Sequence, residues 1–172
     1  MLAAMRHIQC QDMDAAGFAR FGEVIDAAGS APELINDGTT RRFPDLAAFD
    51  MGDGRVRPVI GMYLANARGF PLRIAALERH RQASQVFIPL GLHRFVAVVA
   101  PAGDRPEWDE VRAFVTRPGQ GVSLHRGTWH HGLVALGDGH RFAVIEGGNY
   151  RDDTQLSSAP LELWLDAPVQ AV

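Results

Sequence analysis

The sequence predicts a mainly β fold, a sandwich or barrel, and three observations predict it. Gly occurs 18 times and Pro 10 times, spread evenly, so the chain is cut into short segments. Between the breaks stand apolar, β-rich runs at 59–64, 86–90, 95–100, 111–115, 122–124, 133–136 and 142–145. Many of them recur about every ten residues with turn residues between, as in closed or face-packed sheets.

The remaining elements follow from local chemistry. Asp14-Ala15-Ala16-Gly17-Phe18-Ala19-Arg20-Phe21 reads as a short helix with Asp12 or Asp14 as its cap. Gly52-Asp53-Gly54 and Gly137-Asp138-Gly139 both read as tight hairpin turns. Residues 71–79 are ambiguous, because Leu72, Ile74 and Leu77 fit a helical or a strand period. No linker, low-complexity tract or repeat interrupts the chain, which predicts one domain over residues 1–172.

Composition excludes several classes of function. Hydrophobic residues make up 47% and charged ones 22% of the 172, an ordinary globular balance. The net charge is −3 and the arginines are scattered, which argues against nucleic acid as a partner. Cys10 is the single cysteine, so neither an internal disulfide nor a thiolate metal cluster can form. No run of about twenty apolar residues offers a membrane span, and Met1 to Met13 lack a signal-peptide pattern. A cytoplasmic protein acting on a small molecule is the expectation.

The histidines carry the most information. Three of the seven fall within His125-Arg126-Gly127-Thr128-Trp129-His130-His131. On a strand His130 and His131 point to opposite faces, so only one of them enters a barrel interior, where an imidazole must find partners. Trp129 is expected to pack in the barrel wall. Glu78-Arg79-His80-Arg81-Gln82-Ala83-Ser84-Gln85 precedes the strongest strand. Glu78 and His80 share a face of an extended segment, and Gln85 is reachable after a turn; the octad also reads as a solvated loop.

Together the two segments resemble the paired motifs of cupin barrels, H-x-H-x(3–4)-E and P-x-G-x-x-H. Glu78-x-His80-x(4)-Gln85 looks like the first with Glu and Gln substituted, and His125-x-Gly127-x-x-His130 like the second with His for Pro. Such oxygen and imidazole donors suit a borderline or hard divalent metal.

A longer likeness is to the ureidoglycolate lyase family. It is carried by Leu77-Glu78-Arg79-His80 with Ser84-Gln85-Val86-Phe87-Ile88-Pro89-Leu90, and by Gln120-Gly121-Val122 with His125, Trp129, His130 and His131. Ile35-Asn36-Asp37-Gly38 with Arg42, Asp45 and Leu46, and Phe21-Gly22-Glu23-Val24-Ile25, also match, so the likeness runs from about residue 18 to 147.

The resemblance implies a cupin-like double-stranded β-helix barrel with a few short helices, usually a homodimer. It implies cleavage of ureidoglycolate to glyoxylate and urea in allantoin (purine) degradation. It assigns His80, His130 and Glu78 to catalysis, and Glu78, His80, Gln85 and His130 to a divalent metal such as nickel, zinc or manganese. Arg42, Asn36, Gln85 and His125 are the expected substrate contacts, with Arg42 gripping the carboxylate.

The chain departs from the family pattern in three places. Tyr63-Leu64-Ala65 stands where the family has F-R-A, Ile145-Glu146-Gly147-Gly148 where it has D-R-G-G, and Arg81-Gln82-Ala83 where it prefers P-L-G. Arg41, Arg79 or Arg81 could replace the missing cations, and Glu146 reads as a catalytic carboxylate or a strand-end residue. Two other readings stay open: a cupin enzyme for another 2-hydroxy, 2-oxo or sugar acid, and a non-catalytic cupin that binds small acids.

Overall fold

The computed structural model describes residues 5–169, so the first four residues of the stretch read above for a leader lie outside it. The fold is mainly β, as predicted, with two four-residue helices and one 3-10 turn among these residues. Two large sheets face each other. One runs Gly22–Ile25, Gly121–Leu124, Gln85–Pro89, His140–Gly147, Pro58–Ala65. The other runs Thr154–Ser158, Ala76–His80, Trp129–His130, Phe95–Ala100, Arg112–Val115, Cys10–Asp12, with Val134–Ala135 also on Phe95–Ala100.

Alternation along the strands sorts the side chains. Phe87, Val122, Leu124, Phe142 and Val144 from the first sheet meet Phe95, Ala97 and Val99 from the second in one buried cluster. Phe95 and Phe142 meet there edge to face at 5.5 Å, a favoured aromatic geometry. The other side of Phe95–Ala100 points outward from that cluster, yet Val96, Val98 and Ala100 are buried too. They pack with Leu77, Trp129, Leu163 and Leu165 beneath a three-stranded sheet of Met5–Ile8, Glu162–Leu165 and Leu72–Arg73. A strand buried on both faces needs the continuous apolar run that residues 95–100 supply. Each buried Val or Leu among them contributes about 1.5–3 kcal/mol by leaving water.

The predicted runs all contain strand, with shifted ends. Residues 133–136 shrink to Val134–Ala135, and 111–115 starts at Arg112 after a turn at Trp108–Glu110. The ambiguous stretch 71–79 resolves into two strands, Leu72–Arg73 and Ala76–His80. The N-terminal helix is shorter than predicted, Ala15–Phe18, and Asp14 caps it by accepting from the Gly17 N–H at 2.9 Å.

The two Gly-Asp-Gly segments do turn, with Gly52, Gly54 and Gly139 at positive φ, but neither closes a hairpin. Val134–Ala135 lies on Phe95–Ala100 while His140–Gly147 pairs with strands of the opposite sheet. The second turn therefore carries the chain from one sheet to the other, a distinction that turn chemistry alone does not make.

Candidate active site

Strand register builds the site. Glu78 and His80 lie on one side of Ala76–His80, and His130 on Trp129–His130 stands directly opposite Glu78. Directly opposed residues of an antiparallel pair have Cβ atoms about 4.5–5.5 Å apart, so the three side chains must meet. Their ligand atoms all lie within 4.8 Å of one another. The His80 and His130 rings are 5.3 Å apart, and His130 Nε2 is 3.5 Å from Glu78 Oε1. Both imidazoles are buried (7% and 3% exposed), whereas the Glu78 side chain keeps 30% exposure and faces the mouth.

The outer hydrogen bonds decide which ring nitrogens are free. His130 Nδ1 is 3.0 Å from the Thr128 carbonyl, which can only accept, so Nδ1 carries the proton. Register sets Thr154 opposite His80. The Thr154 hydroxyl donates to the Tyr150 carbonyl at 2.6 Å and therefore accepts from His80 Nδ1 at 3.3 Å. Each ring is left with a bare Nε2, buried and without a hydrogen-bond partner.

Electrostatics sharpens the same point. When His130 is protonated, its hydrogen bond and charge, with help from His80, hold the Glu78 carboxyl below its ordinary range, so it is an anion. Burial, then the neighbouring His130, lowers the pKa of His80. With both rings neutral, two lone pairs and a carboxylate converge with no donor among them, a costly arrangement that a proton on His130 or a metal cation relieves. The donor set fits a divalent metal, and Thr128 and Thr154 are the outer partners that such histidine ligands take.

Gln85 opens the next strand, and its Nε2 donates to Glu146 Oε2 at 2.9 Å in a buried pair. Tyr63 lies on the side of Pro58–Ala65 that packs toward Phe87. Burial, then Glu146 and Glu78, push its hydroxyl up to about 12, so it stays a proton donor. Sequence reasoning gave no role to Tyr63, named only as part of the departure from F-R-A, or to Thr154, which has no motif; only register on the strands marks them. A cavity of about 20 Å³ touches His130 and His131, room for about one water, and of the three cluster residues only Glu78 keeps substantial exposure.

Other predicted residues are not brought to this cluster. Asn36 and Arg42 lie on the exposed hairpin of Glu33–Ile35 and Thr40–Arg42, which pairs with no other strand. Asn36 bonds Thr40 at 3.3 Å and Arg42 bonds Glu33 at 3.4 Å. His125 is exposed past the end of Gly121–Leu124, its backbone N–H on the Phe21 carbonyl.

Arg79 cannot supply the missing cation: it is buried on the other side, stacked 4.8 Å over Trp129 and bonded to Gln155. Trp129 packs in the wall as expected. His131 follows the last strand residue, so alternation no longer governs it; it lines the same cavity as His130. Cys10 is inert, its thiol pushed up to about 11 by burial and then by Asp166.

A family model described as ureidoglycolate lyase matches residues 5–168. The chain belongs to the ureidoglycolate lyase family. Among its relatives, the ureidoglycolate lyase of Burkholderia mallei (strain NCTC 10229) is 40% identical over 161 residues, covering 94% of both chains. That of Azotobacter vinelandii (strain DJ / ATCC BAA-1303) is 42% identical over 142 residues, covering 83% of this chain and 86% of its own. That of Pseudomonas fluorescens (strain Pf0-1) is 38% identical over 165 residues, covering 91% and 99%. The segments by which the sequence resembles ureidoglycolate lyases are the ones that supply Glu78, His80, Gln85 and His130. Of the departures, Leu64 is 73% exposed on the outward face of its strand, away from the cluster.

Proposed function

We propose that this chain is a ureidoglycolate lyase that splits ureidoglycolate into glyoxylate and urea, within allantoin breakdown. Family membership supports the reading, and the observation that carries it is the convergence of Glu78, His80 and His130 with two bare imidazole nitrogens.

The substrate is a carbinolamine bearing a carboxylate. In the reaction the C–N bond breaks with its electron pair going to the urea nitrogen. The O–H pair closes the aldehyde C=O, and the hydroxyl proton ends on that nitrogen. Glu78, the member of the cluster open to the mouth, takes the hydroxyl proton and passes it to the leaving nitrogen. Tyr63, held protonated, donates to the substrate at the same mouth. A divalent ion such as nickel, zinc or manganese would be held by Glu78 Oε1, His80 Nε2, His130 Nε2 and Gln85. When bound it would supply Lewis acidity toward the substrate's oxygens. Arg42 and Asn36 stay proposed as carboxylate contacts and His125 as a substrate contact on the family motifs they sit in alone, since their positions lie away from the cluster.

We also propose a single domain, a cytoplasmic location and a homodimer. No helix among the described residues is long and apolar enough to cross a membrane. Ile60, Met62 and Leu64 form an exposed apolar row on the edge strand Pro58–Ala65, the kind of surface that a second copy covers. Light scattering of the purified chain checks the dimer.

The test of the activity is incubation with racemic ureidoglycolate, before and after chelation and with each metal restored, reading glyoxylate and urea together. Equimolar release of both is expected. Absence of both under every metal condition overturns the reading in favour of a binding protein.

A further inference from the structure

We infer that Glu146 is a positioning residue: it locks the Gln85 amide so that Oε1, and not the NH₂ group, faces the histidine cluster. This deepens the metal part of the reading above and rests on it.

The argument starts from what a carboxylate can accept. Gln85 and Glu146 are 4% and 6% exposed, and the Gln85 Nε2 to Glu146 Oε2 contact is 2.9 Å. An ionised carboxylate only accepts, so it selects the NH₂ end of the amide. The amide carbonyl is then turned away from Glu146, buried and without a partner. Gln85 stands opposite Leu124 and on the same side of its strand as Phe87, and both of those residues line the cavity that His130 also lines.

Five buried side-chain polar atoms among the described residues lack a hydrogen-bond partner, and three of them are His80 Nε2, His130 Nε2 and Gln85 Oε1. Orphaned buried acceptors each carry a desolvation cost. Three in one place mark a built cradle for something electron-poor.

The opposite rotamer explains why the lock matters. With Glu146 removed, the amide is free to turn, and its NH₂ group would donate to His80 Nε2. That bond would occupy the lone pair the cluster needs and withdraw the fourth donor, the Gln85 oxygen, in the same motion. Outer partners of this kind are worth about 10–100-fold in metal affinity.

The experiment is calorimetric titration of nickel(II), zinc(II) and manganese(II) into the purified chain and into Glu146→Leu, Glu146→Gln and His130→Ala. Glu146→Leu is expected to weaken binding by about 10–100-fold. Glu146→Gln, whose side-chain carbonyl can accept the same N–H, is expected to restore most of it. Unchanged affinity in Glu146→Leu alongside a loss in His130→Ala overturns the inference and leaves the metal site standing. An equal loss in Glu146→Gln overturns it too, since charge and not amide orientation would then be at work. If no metal binds the unsubstituted chain the inference fails, while glyoxylate and urea release still judges the lyase reading separately. Should Glu146→Leu fail to fold by circular dichroism, Gln85→Leu replaces it: the same loss is expected, and unchanged affinity overturns the inference.

Discussion

His130 Nε2 and Glu78 Oε1 stand 3.5 Å apart on directly opposed strand residues, and in the neutral ring the one proton is on Nδ1, bonded to Thr128. Close packing of an acceptor against an anion is tolerated only where something else completes the set. His130→Ala is therefore expected to keep the fold and lower turnover by orders of magnitude. Circular dichroism and a glyoxylate assay check it, and normal turnover would remove His130 from the site.

Thr154 acts on His80 at one remove. Its hydroxyl hydrogen is spent on the Tyr150 carbonyl, so it can only accept from Nδ1. Thr154→Val keeps the shape but releases the tautomer, and turnover should fall about 10-fold or more. Thr154→Ser should retain it. Equal activity in both variants would leave the tautomer argument without support.

Leu64 stands where the family has Arg, which at first suggests a weakened carboxylate grip. Its side chain points outward, opposite to Tyr63 on the same strand. Leu64→Arg is accordingly expected to leave KM within about 2-fold, the scale of a neutral surface change. A tenfold fall in KM would mean that this position reaches a substrate.

Asp26 ties the turn at 26–28 to the loop before Gly121–Leu124. Burial by itself would raise its pKa. The Ala28 N–H, Arg117 at 2.5 Å and Gln120 at 2.8 Å together outweigh that and hold the carboxyl below 3.8. A carboxyl depressed in the folded state contributes stability that is present above its unfolded pKa and lost as pH falls through the folded value. Asp26→Ala should cost about 1 kcal/mol at neutral pH. That gap should narrow in denaturant melts as pH falls below the ordinary carboxylate range, and a gap independent of pH would contradict the assignment.

The β class, the Gln85–Pro89 strand and the choice of Glu78, His80 and His130 as site residues were legible in the sequence, because they depend on local periodicity and short motifs, whereas the Ala76–His80 strand lay in a stretch whose period was ambiguous. Glu78 and His80 share a face simply by lying two residues apart on a strand. The meeting of His130 with Glu78, of Thr154 with His80, and of Gln85 with Glu146 spans 52, 74 and 61 positions of chain. Only the pairing of distant strands brings those residues together, and a one-residue slip in register would turn each away. The same holds for what was misjudged. The Gly-Asp-Gly turns have hairpin chemistry, but the strands flanking the second turn pair with distant partners in opposite sheets, which no local run reveals. By itself the sequence determined which side chains the protein has for its chemistry; the tertiary structure decided which of them face one another, since contact across strands is a property of register and not of any local run.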